Sequence, residues 1–298
     1  MRPVVLAWLA RQGLPAGLLP DYWMLSAIAT IAGSAIALRL AERDGASRAH
    51  TARAIACAYV AALVGGYLFE AARAIPVALA VGSWRPLLHP GRAAYGGLLA
   101  AILAAAGYLA AARQPIAAFF DRVAIGAGLT FALVRSGCFL AGCDYGRPTA
   151  GIWGVRFPRG SLAALDHARR GFVPLGAPSL PVHPTQLYEA AVGLLAGALA
   201  AIPLARGRRD GSAFSVFLST YAVGRFALEL LRGDQDRGAL LGLSTAQWVS
   251  VAVIAALALG WAWRAWGSRR TSFWSITLHK NRSEIRLRSG LDGRLETR

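Results

Sequence analysis

The chain has 298 residues, of which 56% are hydrophobic and only 16% are charged, and its mean hydropathy is +0.45. Soluble domains carry about a quarter charged residues. This composition therefore excludes an ordinary soluble domain and indicates a protein that crosses a membrane several times. The net charge of +17 does not indicate a nucleic-acid-binding face, because the cations, nearly all arginine, lie mainly in short loops and the C-terminal segment.

Seven apolar segments follow one another along the chain, each near the length that crosses the hydrocarbon core. They predict an all-α, polytopic membrane bundle of about seven transmembrane helices, at residues 22–40, 54–75, 93–112, 122–142, 187–205, 212–231 and 246–266. Pro76 is expected to end the second helix. We divide the chain into a membrane-embedded domain, 1–267, and a basic cytoplasmic tail, 268–298, which we expect to be partly disordered.

Arginines in the loops predict the orientation of the bundle. The loops at 39–53 and 206–209 and the tail lie on one side if the N-terminus is outside and the C-terminus is in the cytoplasm. The outer side then receives a Gly- and Pro-rich loop, 143–185, of roughly 40 residues, a length typical of functional or disordered loops. Within it, residues 151–157 are expected to form a short strand.

Two arginines, Arg135 and Arg225, lie within otherwise apolar predicted helices. A charge in hydrocarbon is costly, so a chain keeps it only with a partner, a water-filled cavity or an anionic ligand. A guanidinium can hold two oxygens at once, which favours a phosphate or carboxylate as that ligand. We therefore predict that the two arginines converge on one cavity that binds a phospholipid head group.

The segment between Arg135 and Arg147 contains several glycines, among them Gly137 and Gly146. Glycines let the backbone approach a ligand closely and let a helix end near a membrane surface. This segment is thus expected to form part of the phosphate clamp.

Arg225, Glu229 and Arg232 have the spacing i, i+4, i+7, which places them on one face of a helix. One interpretation is an ordered charge relay in which Glu229 holds the arginines in position. The alternative is structural: an ion pair between helices, with Arg135 reaching the membrane surface or pairing with Glu70 or Glu229.

The run His183-Pro184-Thr185-Gln186-Leu187-Tyr188-Glu189 opens the fifth predicted helix. Thr185 is expected to cap this helix, and Glu189 lies in its first turn, where the helix dipole favours an anion. His183 is a candidate base, although a capping or loop role is the interpretation that we favour.

Cys138 and Cys143 raise the possibility of redox chemistry. In an unbroken helix, five residues separate two side chains by about 140° and about 7.5 Å of rise, which is too far for a disulfide unless Gly142 breaks the helix. We favour two small packed thiols that are dispensable for activity, and for Cys57 a packing role alone.

Four motifs, in this order, resemble the bacterial prolipoprotein diacylglyceryl transferase family. The stretch 134–146 is similar to the family's Gly-Arg-x-Gly-Asn-Phe-x-Asn-x-Glu-x-x-Gly, and 183–189 to its His-Pro-Ser-Gln-Leu-Tyr-Glu. Residues 225–232 resemble its arginine-bearing sixth helix, and 243–247 its Ser-Met-x-Gln turn. Tyr22 is similar to a tyrosine near the start of the family's first helix.

Among the positions that depart from the family pattern, three mark a divergent member. Tyr95 stands where the family usually has the histidine of His-Gly-Gly, and Cys138 and Cys143 replace an asparagine and a glutamate of the signature. Tyrosine is a poor base at neutral pH, because its usual pKa is about 10. We therefore expect Tyr95 to orient the lipid rather than remove a proton.

The resemblance implies transfer of the diacylglyceryl group from phosphatidylglycerol to the lipobox cysteine of prolipoproteins, with release of glycerol phosphate, in the bacterial cytoplasmic (inner) membrane. The partners are phosphatidylglycerol, prolipoprotein signal peptides and the lipid bilayer, with no nucleic acid, no metal and no cofactor. The implied catalytic residues are Arg135, Arg225, Tyr95 and Glu229, and the implied substrate-binding residues are Tyr22, Gly137, Gly146, Arg147, His183, Gln186 and Arg232.

Two other functions are compatible with the same residues. One is a catalytically altered phospholipid-binding membrane protein that kept the anion site, which the loss of the third-helix histidine favours. The other is a membrane thiol oxidoreductase using Cys138 and Cys143, which requires both cysteines to face the outer surface.

Overall fold

A computed structural model of the chain describes residues 1–12, 20–88, 94–233 and 239–263, without the side chains at positions 10, 94, 95, 239 and 240. The helices are α1 (Arg2–Arg11), α2 (Tyr22–Arg43), α3 (Arg48–Val81), α4 (Arg85–Leu88), α5 (Ala94–Ala111), α6 (Ile116–Ala141), α7 (Leu162–Arg169), α8 (Thr185–Ala205), α9 (Ser212–Glu229) and α10 (Thr245–Trp263). Among the described residues, four short strands form two antiparallel pairs, β1 (Val155–Arg156) with β2 (Pro181–Val182), and β3 (Ala239–Leu240) with β4 (Leu243–Ser244).

Each of the seven predicted spans coincides with a helix: α2, α3, α5, α6, α8, α9 and α10. Within the described residues, five helices are long and apolar enough to cross a membrane, namely α2, α3, α6, α8 and α10. The predicted helical membrane bundle is therefore confirmed, while the count of seven crossings stays a prediction. The tail at 268–298, predicted to be cytoplasmic, lies outside the described residues.

The prediction that Pro76 ends the second span is wrong. Helix α3 continues through Pro76 to Val81 and ends at Gly82, whose φ of 65° is left-handed. A proline in a helix removes one backbone hydrogen bond, a loss that neighbouring groups and small local adjustments accommodate in membrane helices. The residues after it remain apolar and exposed, including Val77 and Leu79, as expected for a face in contact with lipid.

Helix α6 lies at the centre of the bundle, packed against α2, α8 and α9, while α3 packs against α5. Glycines allow this close approach. A Cβ added at Gly126 on α6 would lie 2.5 Å from the carbonyl oxygen of Gly33 on α2, and one at Gly128 would lie 2.7 Å from that of Gly193 on α8. Small residues at such crossings bring helix backbones together, which is how membrane helices gain packing energy without a hydrophobic driving force.

The loop between α6 and α8 folds into a small unit at one end of the bundle. Its β1–β2 pair sets Val155 opposite Val182, and a cluster of buried residues, including Tyr145 and Phe157, joins the strands to α7. The predicted strand at 151–157 is thus present but shorter. At the start of α10, Ser244 and Gln247 form a reciprocal cap, in which each side chain accepts a hydrogen bond from the other's backbone N–H.

The opposite end of α6 carries its own polar cluster. Arg122 is buried and lies 3.4 Å from Asp44, which also accepts two hydrogen bonds of 2.6 Å from Arg209. The hydrogen bond from Arg209 holds the pKa of Asp44 below its usual value, against the effect of burial. Arg122 and Arg135 lie about 20 Å apart along the helix, at 1.5 Å per residue.

The glycine contact between α2 and α6 gives a first prediction. Gly126→Ala should destabilise the protein by about 1–3 kcal/mol, because the new methyl group meets backbone that cannot move aside. The matched control is Gly107→Ala on α5, where an added Cβ meets nothing within 4 Å. Thermal unfolding of the detergent-solubilised variants measures both effects. Equal melting temperatures would show that the helices do not approach at Gly126.

Candidate active site

The candidate site is a buried cluster of charges at the end of the bundle that carries the folded loop. It joins the end of α6, the start of α8 and the end of α9. We call it the arginine cluster, and its six members are Arg135, Arg225, Arg232, Asp144, Glu189 and Glu229. Its formal charges cancel.

Glu189 is the centre of this cluster and is 1% exposed. Its Oε1 atom lies 3.0 Å from Nη2 of Arg135 and 3.6 Å from Nε of Arg225, and its Oε2 atom lies 3.9 Å from Nη1 of Arg232. The hydroxyl of Tyr221 also donates a hydrogen bond of 2.6 Å to Oε1. Arg135 and Arg225 therefore share one partner, as their predicted convergence requires.

Asp144 is the second shared carboxylate. Its Oδ2 atom lies 2.8 Å from Nη1 of Arg135, and its Oδ1 atom accepts from Arg232. Burial favours the neutral acid, but the guanidinium groups of Arg232 and Arg135 outweigh it and hold the pKa of Asp144 below its usual value. The hydroxyl of Thr185 donates to the Asp144 carbonyl at 2.8 Å.

This contact also corrects the prediction that Thr185 caps the fifth span. The residue preceding α8 is Pro184, and that helix start has no side-chain cap. Because Thr185 is already the first residue of α8, its hydroxyl is free to hold the loop at Asp144 instead.

Arg225 and Glu229 form a buried ion pair one helical turn apart, as the relay interpretation predicts. Arg232 does not continue their helical face, because α9 ends at Glu229. It lies in the following extended segment, opposite Gly146, and reaches the cluster from there. The helical i+7 assignment of Arg232 was therefore wrong, although its side chain does reach the predicted site.

Gly146, Arg147 and His183 form a short backbone ladder beside the cluster. The Gly146 N–H donates to the His183 carbonyl at 2.9 Å, and the His183 N–H donates to the Arg147 carbonyl at 3.1 Å. A Cβ at Gly146 would lie 2.7 Å from the His183 oxygen, so this approach requires glycine. The Arg147 side chain is exposed and donates to the Arg232 carbonyl at 3.3 Å, and the His183 ring lies 3.5 Å from the Tyr188 hydroxyl.

The remaining predicted substrate-binding residues surround the end of α6. Gln186 is fully buried and donates to the Cys143 carbonyl at 2.6 Å, while its Oε1 atom has no hydrogen-bond partner within the described part of the chain. Tyr22 begins α2 and packs on Gly137, where an added Cβ would lie 3.1 Å from the tyrosine ring. Tyr95 lies in the first turn of α5, and its side chain lies outside the described residues.

The two cysteines lie closer together than an unbroken helix would place them. Helix α6 ends at Ala141, and Gly142 turns the chain back with a φ of 83°. The Sγ atoms of Cys138 and Cys143 consequently lie within 4.8 Å of each other, and the Cys143 Sγ atom is 3.7 Å from the Cys138 carbonyl. The predicted separation applied to an unbroken helix, and the structure shows the break at Gly142 that was named as the exception.

An apolar cavity of about 290 Å³ adjoins the cluster inside the bundle. Helices α2, α3, α5, α6 and α9 all contribute to its wall, with Phe131 and Tyr221 among the lining residues. Tyr221 connects the two features, because it is among the residues that line the cavity and its hydroxyl contacts Glu189. A buried charged site thus lies next to an apolar space.

Sequence reasoning assigned no site role to Glu189, Asp144 or Tyr221. The run that begins at His183 includes Glu189, but the sequence indicated only a favourable interaction of this carboxylate with the helix dipole. Tyr221 stands four residues before Arg225, on the helix face that carries Arg225 and Glu229, and this spacing was the available signal. No sequence signal pointed to Asp144, because its contacts depend on how the loop folds.

Together these features define a helical membrane protein with a buried arginine–carboxylate centre beside an apolar cavity. The sequence profile of one family, prolipoprotein diacylglyceryl transferase, matches residues 19–263. The chain belongs to this family.

Three curated relatives named phosphatidylglycerol–prolipoprotein diacylglyceryl transferase show the extent of the similarity. The protein from Clostridium tetani is 30% identical over 160 residues, which cover 54% of this chain and 59% of the relative. The Symbiobacterium thermophilum protein is 34% identical over 180 residues, covering 60% and 62%. Protein 2 from Clostridium perfringens is 33% identical over 134 residues, covering 45% and 47%. The chain thus spans about half to three fifths of these relatives.

The central position of Glu189 gives a second prediction. Glu189→Gln should cost about 3–5 kcal/mol of stability, because it leaves buried guanidinium groups without their shared counter-charge. The same change at Glu42, whose ion pair with Arg48 is exposed, should cost about 0–1 kcal/mol. Chemical unfolding in detergent compares the two variants, and a Glu189 variant as stable as the Glu42 variant would contradict the central role.

Proposed function

We propose that this protein transfers the diacylglyceryl group of phosphatidylglycerol to the thiol of a lipobox cysteine in a prolipoprotein signal peptide. The proposal places it in the bacterial inner membrane, with the N-terminus outside and the C-terminus in the cytoplasm. The observation that carries it is the convergence of three arginines beside an apolar cavity, in a member of this family. Guanidinium groups suit the phosphate, and the cavity suits an acyl chain.

A phosphate can enter only if it replaces a carboxylate that the arginines already hold. Asp144 is the suitable partner to displace, because its side chain is 32% exposed whereas that of Glu189 is 2% exposed. Asp144 also lies in a loop, whereas Glu189 is fixed in α8. Two oxygens of the lipid phosphate would then accept hydrogen bonds from Arg135 and Arg232, while Glu189 and Glu229 continue to pair with Arg225.

The transfer forms a bond between sulfur and a glyceryl carbon as the bond from that carbon to the phosphate oxygen breaks. Negative charge develops on the departing glycerol phosphate, where fixed guanidinium groups stabilise it. The acceptor thiol must lose its proton to act as a nucleophile. Once displaced from the arginines, the Asp144 carboxylate is a suitable acceptor for that proton, so the same movement would bind the lipid and provide the base.

Substitution of Arg135 tests this proposal directly. Arg135→Lys keeps the charge but loses the planar guanidinium, which can donate hydrogen bonds to two oxygens at once. This change should lower the transfer rate about 10²- to 10³-fold. Arg122→Lys is the matched control, since Arg122 is buried on the same helix at the far end. Purified protein, phosphatidylglycerol and a lipobox peptide are combined, and mass spectrometry follows the thioether product and the released glycerol phosphate.

Three results of this assay would contradict the proposed reaction or the role of Arg135. If the unsubstituted protein forms no thioether and does not complement a strain depleted of its own diacylglyceryl transferase, the proposed reaction is wrong. Phosphatidylglycerol binding that is lost in Arg135→Lys would then identify a lipid-binding relative. Equal loss of transfer in the Arg135 and Arg122 variants would instead indicate a general folding defect.

Tyr95 provides a further prediction, since it stands at the family's histidine position. A phenol can donate a hydrogen bond to a phosphate oxygen, so Tyr95→Phe should lower turnover modestly, far less than Arg135→Lys. Tyr95→His should preserve or raise transfer. The same peptide assay measures the three variants, and wild-type rates in both Tyr95 variants would show that Tyr95 has no role.

A further inference from the structure

We propose that Cys138 and Cys143 form a thiol–disulfide exchange site, in which an external disulfide oxidises the pair to an intramolecular bridge. Cys143 is the attacking thiol and Cys138 the resolving thiol. The proposal does not depend on diacylglyceryl transfer, because it concerns the protein's own thiols and can be measured without lipid or peptide.

The turn after α6 supplies the geometry. The two Sγ atoms lie within 4.8 Å of each other and must approach to about 2.05 Å to bond. Cys138 is fixed in the last turn of α6 and is 4% exposed. Cys143 follows Gly142, whose left-handed conformation ends the helix, so the remaining movement falls on Cys143.

The surroundings of the two thiols give them different roles. The hydrogen bond from Cys138 lowers the pKa of Cys143, and the Arg135 guanidinium acts in the same direction, against burial and the charge of Asp144. Thiolates are the attacking species in disulfide exchange. Cys143 is also more exposed than Cys138. It can therefore meet an external disulfide, whereas Cys138 meets mainly the sulfur of Cys143.

The exchange proceeds in two steps. The Cys143 thiolate attacks an external disulfide RSSR, forming the mixed disulfide of Cys143 with RS and releasing one RS⁻. Cys138 then gives up its proton and attacks the Cys143 sulfur, forming the bridge and releasing the second RS⁻. The protons of the two cysteine thiols end on the two released RSH molecules. The cysteine pair is oxidised by two electrons and RSSR is reduced by two.

A metal site is the competing use of these thiols, because Asp144 completes a group of three donors whose atoms lie within 4.8 Å of one another. However, both Asp144 oxygens face guanidinium groups, one from Arg135 and one from Arg232. A divalent cation at this point would lie beside two fixed positive charges and would have to displace them. These contacts favour thiol exchange over metal binding.

Formation of the bridge should also change the ion pairs of the arginine cluster. Cys143 immediately precedes Asp144, and its carbonyl is held by Gln186 at 2.6 Å. Movement of Cys143 toward Cys138 therefore shifts the backbone that presents Asp144 to Arg135 and Arg232. The oxidation state of the thiols is in this way coupled to the ion pairs of the cluster.

The experiment uses the full chain in detergent with Cys57→Ser, which leaves only the proposed pair. Oxidised glutathione is added, and intact mass with counting of reactive thiols follows the products. The Cys57→Ser protein should lose both thiols without retaining glutathione. Adding Cys138→Ser should trap glutathione on Cys143, whereas adding Cys143→Ser should leave Cys138 about tenfold or more slower to react, because it is buried and lacks an activated thiolate.

A second measurement needs no substitution. Peptide mapping of the oxidised unsubstituted protein should find Cys138 joined to Cys143 and Cys57 free. A stable glutathione adduct without a bridge, or equal reaction rates for the two single thiols, would overturn the proposal. Stoichiometric zinc uptake that is lost in both cysteine variants, with no bridge formed, would replace it with a metal site.

Discussion

The structure depends on the burial of one carboxylate, Glu189, among the guanidinium groups of Arg135, Arg225 and Arg232. Charges in a low-dielectric interior are tolerated only when they are paired and hydrogen-bonded. Because these arginines come from α6, α9 and the segment after α9, one side chain on α8 fixes the relative positions of all these elements. The loop is attached to the same centre through Asp144.

The sequence predicted the helices well because long apolar runs are a direct consequence of the membrane solvent. It also identified Arg135, Arg225 and Glu229, since charges in apolar segments stand out. It could not predict the partner of Arg135, because the contact with Glu189 joins residues 54 positions apart through helix packing. The turn at Gly142 was likewise undetermined, since a glycine permits a helix to continue as well as to end.

The departures from the family pattern now have a structural context. The signature's glutamate position is occupied by Cys143, but the next residue, Asp144, brings a carboxylate to Arg135 and Arg232. A carboxylate thus lies one residue after the signature's glutamate position, and the Cys143 Sγ atom lies within 4.8 Å of that of Cys138. The two substituted positions are five residues apart in the sequence and are neighbours in space.

The balance of charges in the cluster also constrains how the protein is made. Arg135 enters the membrane with α6 before synthesis has reached Glu189 on α8, and a charge in hydrocarbon is costly without a partner. Asp144 follows only nine residues later, so among the carboxylates of the arginine cluster it is the first to be synthesised. The loop carboxylate can therefore pair with Arg135 before α8 and α9 have been synthesised, and it keeps this contact in the folded protein.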